Sequence, residues 1–419
     1  MPFLWHKEVR MEIFLVGGAV RDQLLGLKSK DMDWVVVGAK PDDLISKGYK
    51  VAGAAFPVFI HPETGDEYAL ARKERKTGLK HNDFETFFDP SVTLEDDLSR
   101  RDLTINAIAM SKDGKLIDPY GGAKDLKNRL IRHVSGAFSE DPLRILRVAR
   151  FMARFHHLGF KVDASTMDLM RGIGKELVHI SEERIWKELS RALTEKTPSA
   201  FISTLKDCDC LKYVLPEVDA LFGVPQPEKH HPEIDTGIHT LMVMEQARKL
   251  TNDVDIIFSA MTHDLGKALT KKEMLPAHHN HDEDGVPVVE MLCKRLKVPS
   301  NTKKLAVAAC KNHTTVHRAF ELRPGTIVKL FNQIDAYRDR GILDKLLTVC
   351  ESDAKGRIGF ENIKYNQSEL LKNAFKASLG VTAKEFVEKG YSGEKIREQI
   401  NAKRIKVVKH EIYSSGLEP

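Results

Sequence analysis

The first strong pattern along the chain is an apolar run, Ile13-Phe14-Leu15-Val16, that meets Gly17-Gly18 and gives way to helical spacing from Ala19 to Leu25. Further on, Trp34-Val35-Val36-Val37 is β-branched and apolar enough to predict a buried strand. More strands are predicted near 57–61 and 66–72, separated by turns containing Gly and Pro. The polar, glycine-containing stretch from Lys73 to Thr86 predicts a mobile loop. In EDDLSRRDLTINAIAM, residues 95–110, the apolar positions Leu103, Ile105, Ala107 and Ile108 predict a helix after an acidic lead. Beyond residue 136 the apolar positions recur at helical spacing. Pro142 fits only a first turn, so a long helix is predicted from Glu140 toward residue 158. Ser181, Glu182 and Glu183 make a good helix start, with Ile185, Trp186, Leu189 and Leu193 as its apolar stripe. The fold class is therefore α+β, a small mixed α/β region followed by an all-helical remainder.

Composition narrows the class. The chain has 419 residues, 42% hydrophobic and 30% charged, enough for roughly three domains on a prior of ~100–200 residues each. No apolar run approaches the ~18 residues of a membrane span, so no membrane association is expected. The first ten residues lack a secretory pattern and read as an extension ahead of Met11. Five scattered cysteines give neither a disulfide framework nor a zinc pair, which fits a reducing cytoplasm. With a net charge of only +5, an RNA partner would need local basic patches.

The densest chemistry lies between Gly17 and Val37. Asp31 and Asp33 lead into a strand, and residues two apart on a strand share a face. Two carboxylates on one face repel each other unless a divalent cation lies between them, and magnesium suits oxygen ligands and phosphates. A lone D-x-D would usually be a solvated turn. Here the strand-to-helix glycines stand just upstream, where backbone N–H groups meet phosphate, and Arg21 in the first helical turn can add a bidentate contact. Glu67 is a candidate third carboxylate, with an exposed strand glutamate as the alternative.

GGAVRDxLLG followed by DxDWVVV resembles the head of the tRNA nucleotidyltransferases that build and repair the 3′ CCA end, in the class II bacterial type with an HD domain. The resemblance extends along almost the whole chain. It implies an extension over 1–10, a polymerase-β-like head over 11–135, a neck over 136–222, an HD domain over 223–335 and a helical tail over 336–419. It also implies that Gly18 contacts nucleotide, that RRDLTxNA puts Arg101 on the nucleotide and Asp102 on the ribose side, and that Gly121-Gly122 form a springy connector. Without it, the RRD segment would read as a surface helix laced with ion pairs.

At EDPLRILR, Asp141 and Arg144 stand three apart, with Arg147 one step further round. Such a pair is ordinarily a helix ion pair worth about 0.2–0.5 kcal/mol. A carboxylate can also accept from an exocyclic amine while a guanidinium donates to a ring acceptor. Cytosine and adenine both offer that edge; uracil and guanine present a carbonyl and an N–H there, and each mismatch costs on the order of 1–3 kcal/mol. The family's EDxxR element is similar at Asp141 and Arg144, and Arg147 matches its further nucleotide-contacting arginine.

A histidine-rich segment follows, with His239, His263-Asp264, His278-His279, His281, His313 and His317. His263-Asp264 before a glycine resembles the core of the HD phosphohydrolase pattern, with His239 as the earlier ligand. Imidazole and carboxylate together suit Ni2+ or another divalent transition metal, or magnesium. A lone histidine on an apolar helix is more often a satisfied core residue, but so many in one segment favour ligation. Thr314 stands where the family's last aspartate is expected, so a weakened site is expected, with Asp282, Asp284, Asp353 or His313 as replacements. In the tail, Arg397, Lys403, Arg404, Lys406 and Lys409 form either a solvated helix face or a tRNA backbone contact.

The function expected is template-independent addition of CCA to tRNA lacking all or part of that end, from CTP and ATP with Mg2+ at Asp31 and Asp33, by a cytoplasmic monomer or homodimer. The HD region adds expected phosphatase, 2′-nucleotidase and 2′,3′-cyclic phosphodiesterase activity. The alternatives are a bacterial poly(A) polymerase, an HD phosphohydrolase whose head only binds nucleotide, and a noncatalytic RNA-binding protein.

Overall fold

The structure, a computed structural model, describes residues 11–29, 32–52, 58–76 and 84–414. The extension 1–10 and Asp31 lie outside the described residues. The chain divides into two compact units: residues up to Ser181 with Asp207–Cys210, and Glu182–Lys206 with Leu211 onward.

The first unit is built on a seven-stranded sheet. Its strands are β1 (Glu12–Val16), β2 (Asp33–Val37), β3 (Lys50–Ala52), β4 (Val58–Ile60), β5 (Glu67–Leu70), β8 (Ala109–Ser111) and β9 (Leu116–Ile117), ordered β3-β4-β5-β2-β1-β8-β9. Strand alternation sends Val35 into a cluster with Phe14, Val16, Ala71, Leu98, Ala107 and Ala109. Val36 goes to the other face, with Leu44, Phe59, Tyr68 and Leu70. Each such side chain stabilises the fold by roughly 1.5–3 kcal/mol when fully buried. A one-residue slip of β2 would exchange the two faces, so burial fixes its register.

Three expectations are corrected in this unit. The stretch after Arg72 is framed by an antiparallel hairpin, β6 (Lys73–Lys76) with β7 (Phe84–Phe87), while residues 77–83 lie outside the described residues. Its pairing comes from the backbone, and the polar sequence gives no alternation to predict it. The helix expected near 103–108 is instead a short 3-10 turn, Thr104–Asn106, leading into β8. Leu103, Ile105, Ala107 and Ile108 are all fully buried, and so nearly are Asp102, Thr104 and Asn106, which burial on one helical face cannot achieve. Gly121-Gly122 is no springy connector: Asp118 accepts from the N–H groups of Gly122 and Ala123 and starts the helix Gly122–Asn128.

The helix near 143 forms as expected, as α5 (Leu143–Phe155) immediately after Pro142, continued by a 3-10 turn to Leu158. Ile145, Leu146, Val148, Ala149, Met152 and Phe155 form its buried side.

The second unit is helical. The helices Thr236–Leu250, Val254–Thr262, Ser300–His317 and Ile342–Lys355 pack together, and Asp235 and Asp253 cap the first two by accepting from Ile238 and Asp255 N–H. Trp186, read from the sequence as neck, packs edge-on against Phe258 in this unit.

Candidate functional site

In the first unit, register gathers the expected groups at one end of the sheet. β1 and β2 are antiparallel with Val16 opposite Asp33, so the Gly17 turn leaves the sheet beside the carboxylate. β5 runs parallel to β2 with Glu67 opposite Asp33, and both side chains are exposed. Two hard oxygen donors on neighbouring strands are a suitable edge for magnesium. Asp31, the other half of the expected pair, lies outside the described residues.

Gly17 has a left-handed backbone, φ +69°, and a Cβ built there would stand 2.8 Å from Arg101 Nη1. Gly18 begins helix α1 (Gly18–Leu24) and has no such constraint. Arg101 is fixed by donating to Asn106 O and by pairing with Asp97 at 3.2 Å; the buried Asp97 also holds Arg100 at 2.7 Å.

The expected bidentate phosphate contact of Arg21 is corrected. Its side chain is 4% exposed, with Nε and Nη2 on Asp22 and Nη1 donating to Asn106 Oδ1 at 2.6 Å. The guanidinium also lies over the rings of Phe151 and Phe155. Each guanidinium nitrogen of Arg21 donates to a neighbour inside the protein, so it braces Asp22 against Asn106. Asn106 passes the contact on, donating to Asp102 Oδ1 at 3.0 Å, and Arg147 Nε meets Asp102 Oδ2 at 2.7 Å. Arg154 meets the far oxygen of Asp22 at 2.9 Å. A continuous chain of charge-assisted bonds thus leaves α5 at Arg147 and returns to it at Arg154. Burial alone would raise the Asp102 carboxyl, but Arg147 and the Asn106 hydrogen bond hold it far below the usual carboxylate range.

Asp141 precedes α5 in extended conformation and accepts from Leu143 N–H. Arg144 donates to the carbonyls of Ala137 and Arg100, which fixes its half-buried guanidinium. Asn106, Asp97, Asp22 and Arg154 were not read from the sequence. Only the charge density of the RRD segment hinted at Asp97.

In the second unit, His239, His263 and Asp264 converge as expected, and Asp353 joins them. His239 Nε2 lies 3.0 Å from Asp353 Oδ1 and 3.8 Å from Asp264 Oδ2. His263 Nε2 lies 3.2 Å from Asp264 Oδ2 and 3.7 Å from Asp353 Oδ2. The Nδ1 of His263 donates to Ala260 O, and that of His239 faces Gly356 O and Glu233 Oε1, so both rings turn an Nε2 lone pair inward. His263 Nε2 is buried with no hydrogen-bond partner, which fits a cation among these four groups. Lys267 Nζ stands 2.7 Å from Asp264 Oδ2 and donates to Gln226.

Of the replacements expected for the aspartate missing at Thr314, Asp353 is the one that lies with His239 and His263. Thr314 Oγ1 donates to Asp282 Oδ2 at 2.8 Å, and the carboxylate completing the set is Asp353, on the helix Ile342–Lys355. His317 also meets Asp353, at 2.6 Å. His313 approaches the other oxygen of Asp264, at 3.5 Å. His278 is engaged by Thr270 and Pro225 O, and His279 is exposed. Glu233, paired with both His231 and His239, was missed because nothing in its local sequence marks it.

A nucleotide-type head and a helical histidine–aspartate centre define a two-part class of protein, and comparison with known proteins agrees. Residues 13–132 match the poly A polymerase head domain, 159–222 the "Probable RNA and SrmB- binding site of polymerase A", and 236–354 the HD domain. The last range includes Asp353 and passes the boundary of 335 expected from sequence. The chain is 52% identical over 95% of its length to a multifunctional CCA protein of Aliivibrio salmonicida, covering 98% of it. It is 51% identical, again over 95% of its length, to that of Vibrio parahaemolyticus, covering 99%. The fold is similar to the CCA-adding enzyme of Bacillus stearothermophilus in complex with CTP, with a TM-score of 0.61 at 23% identity, covering 96% of this chain and 89% of that one. It is also similar to the Thermotoga maritima CCA-adding enzyme complexed with tRNA, with a TM-score of 0.60 at 20% identity, covering 97% and 92%. The chain belongs to the multifunctional CCA protein family. No helix among the described residues is long and apolar enough to cross a membrane.

Proposed function

We propose that this protein adds C, C and A in turn to the 3′ end of tRNA lacking all or part of that sequence, using CTP and ATP and releasing diphosphate. The observation that carries the reading is the register Val16–Asp33–Glu67, which puts the glycine turn and a carboxylate edge at the same end of one sheet. The 3′-hydroxyl oxygen of the tRNA bonds to the α-phosphorus, the bond to the β-bridging oxygen breaks, and the hydroxyl proton is lost. Magnesium held by Asp33 and Asp31 would acidify that hydroxyl and neutralise the departing diphosphate. The N–H of Gly18 and the guanidinium of Arg101 bind the triphosphate, while the Gly17 N–H is held by Ile108 O. Asp102 lies on the ribose side, and Asp141, Arg144 and Arg147 read the amine and ring acceptor shared by cytosine and adenine. Arg21 acts as a positioning residue.

The second unit is proposed as a divalent-metal phosphohydrolase acting on 2′-phosphates and 2′,3′-cyclic phosphates. Its first cation is held by His239, His263, Asp264 and Asp353, with nickel as a candidate. The basic tail helix is proposed to meet the tRNA backbone.

Extension of a tRNA transcript lacking its last three nucleotides tests the first reading. Two C residues with CTP, completed by one A when ATP is added, are expected; Asp33→Ala and Asp31→Ala should each abolish both additions without unfolding the protein. Long tails of A alone would move the reading to a poly(A) polymerase. No incorporation by folded protein would leave the histidine centre as the principal site.

A further inference from the structure

The helical unit holds a cavity of about 410 Å³ whose lining includes none of the histidine–aspartate ligands. Its long wall is one face of the helix Ser300–His317, where Lys303, Lys304, Val307, Ala308, Lys311 and Asn312 recur at intervals of three and four. Ile334, just past the helix Pro324–Gln333, and Ile342, at the start of the helix Ile342–Lys355, add an apolar floor. Small-molecule sites have this make-up, an apolar surface with a few placed polar groups in a volume of about 300–1,000 Å³.

The polar groups differ at the two ends of the wall. At the inner end Asn312 is 4% exposed. Its Nδ2 donates to Ala308 O at 2.8 Å, which fixes the orientation of the amide and leaves Oδ1 as the end with no donor among the described residues. A side chain so deeply buried, lining the cavity, keeps an acceptor open to whatever fills it. At the outer end the helix begins at Ser300, and its first internal bond runs from Lys303 N–H to Pro299 O. The N–H groups of Ser300, Asn301 and Thr302 therefore have no partner within the helix, and they sit just ahead of Lys303 and Lys304.

Three lysines face one carboxylate, Glu290, among the described lining residues. Lys303 meets Glu290 at 3.5 Å, Lys304 meets Asp335 and Asp339 at 3.6 and 3.3 Å, and Lys311 meets Glu283 at 3.1 Å. Pairs as exposed as these contribute little to stability, so phosphate oxygens can take the place of the carboxylates. From Ser300 to Asn312 the helix rises ~18 Å, at 1.5 Å per residue. An inorganic phosphate would leave the apolar floor and Asn312 unused, and an apolar ligand would leave the lysines and the helix N-terminus unused.

We propose that this cavity binds a nucleoside polyphosphate laid along the helix. The base lies inward on Val307, Ala308 and Ile334 and donates an N–H to Asn312 Oδ1. The sugar passes Lys311, and the phosphates lie outward over Lys303, Lys304 and the helix N-terminus. The lining carries no histidine or aspartate to hold a catalytic metal, so the nucleotide is bound there and not turned over.

The test is equilibrium dialysis of the full-length protein, without tRNA, against the α,β-methylene analogue of ATP, which cannot be transferred. The parent should take up one equivalent per chain more than Asn312→Leu, and one more than the double variant Lys303→Glu, Lys304→Glu, whose half-exposed side chains can change without disturbing the core. Because the readout is a difference, it is the same whether or not the head holds the analogue. Both variants should keep the parent's circular dichroism and its rate of CCA addition. Adenosine and tripolyphosphate, each carrying half of the ligand, should bind the cavity about tenfold more weakly or worse. Equal uptake by the parent and both variants overturns the proposal. Tripolyphosphate binding as tightly as the analogue does so in favour of a plain anion patch. Dimers in sedimentation velocity that both variants dissociate, with no difference in nucleotide uptake, do so in favour of a second copy of the chain as the occupant.

Discussion

Arg147 Nε donates to Asp102 Oδ2 at 2.7 Å, tying helix α5 to the segment that carries Arg101. Asp102 is nearly buried, whereas Arg147 keeps about a third of its side chain in solvent. Asp102→Asn should destabilise the head by on the order of 1–2 kcal/mol, at the lower end because water screens the arginine. The sign of the pH dependence follows from the depressed carboxyl. The unfolded chain takes up the proton first, so the stabilisation is complete above the unfolded value of about 3.9 and is lost as pH falls through the folded one. Thermal melts from pH 6 down to pH 2 should show a shallower acid slope in Asp102→Asn than in the parent.

Asn106 touches both Arg21 and Asp102. Asn106→Ala leaves a buried arginine donor without its acceptor, at a cost of about 1–3 kcal/mol. Because the same residue links α1 to α5, selectivity should also suffer. UTP misincorporation is expected to rise by roughly tenfold for each 1.4 kcal/mol of lost discrimination. Steady-state kinetics with CTP, ATP and UTP would check this, and unchanged selectivity in a folded variant would remove the bracing role.

Gly17→Ala forces a side chain into a positive-φ backbone region that is essentially glycine-only, about 1–3 kcal/mol, and against Arg101. The KM for both nucleotides should rise while tRNA affinity stays level. Gly18→Ala, with only ordinary contact to Arg21, should have the milder effect.

Asp353 and Thr314 give opposite expectations. Asp353→Asn should cut phosphohydrolase turnover and metal affinity by about 10- to 100-fold or more. Thr314→Val, which removes only a hydroxyl bonded to Asp282, should retain both. The reverse pattern, read by metal titration and hydrolysis of cyclic CMP, would return the last ligand to position 314.

The sequence by itself determined what is local. The apolar run ending in Gly17-Gly18, the strand Asp33–Val37, the helix after Pro142 and the His263-Asp264 dyad are legible because strand alternation, helical spacing and proline and glycine geometry act over a few residues. The glycine turn and the aspartates pointed to nucleotide chemistry for the same reason, whereas the RRD segment did so only through its resemblance to the family's motif. Only the tertiary structure decided which distant groups meet. Leu103 to Ile108 looked helical because apolar spacing cannot distinguish one buried face from burial on every side. Arg21 looked like a phosphate ligand, yet Asp22, Asn106 and two phenylalanines enclose it. Thr314 looked like a missing aspartate, whereas Asp353 reaches His239 from another helix and Glu233 fixes that ring from behind. Helix packing brings these groups together across long stretches of chain, and no spacing rule in the sequence encodes that packing.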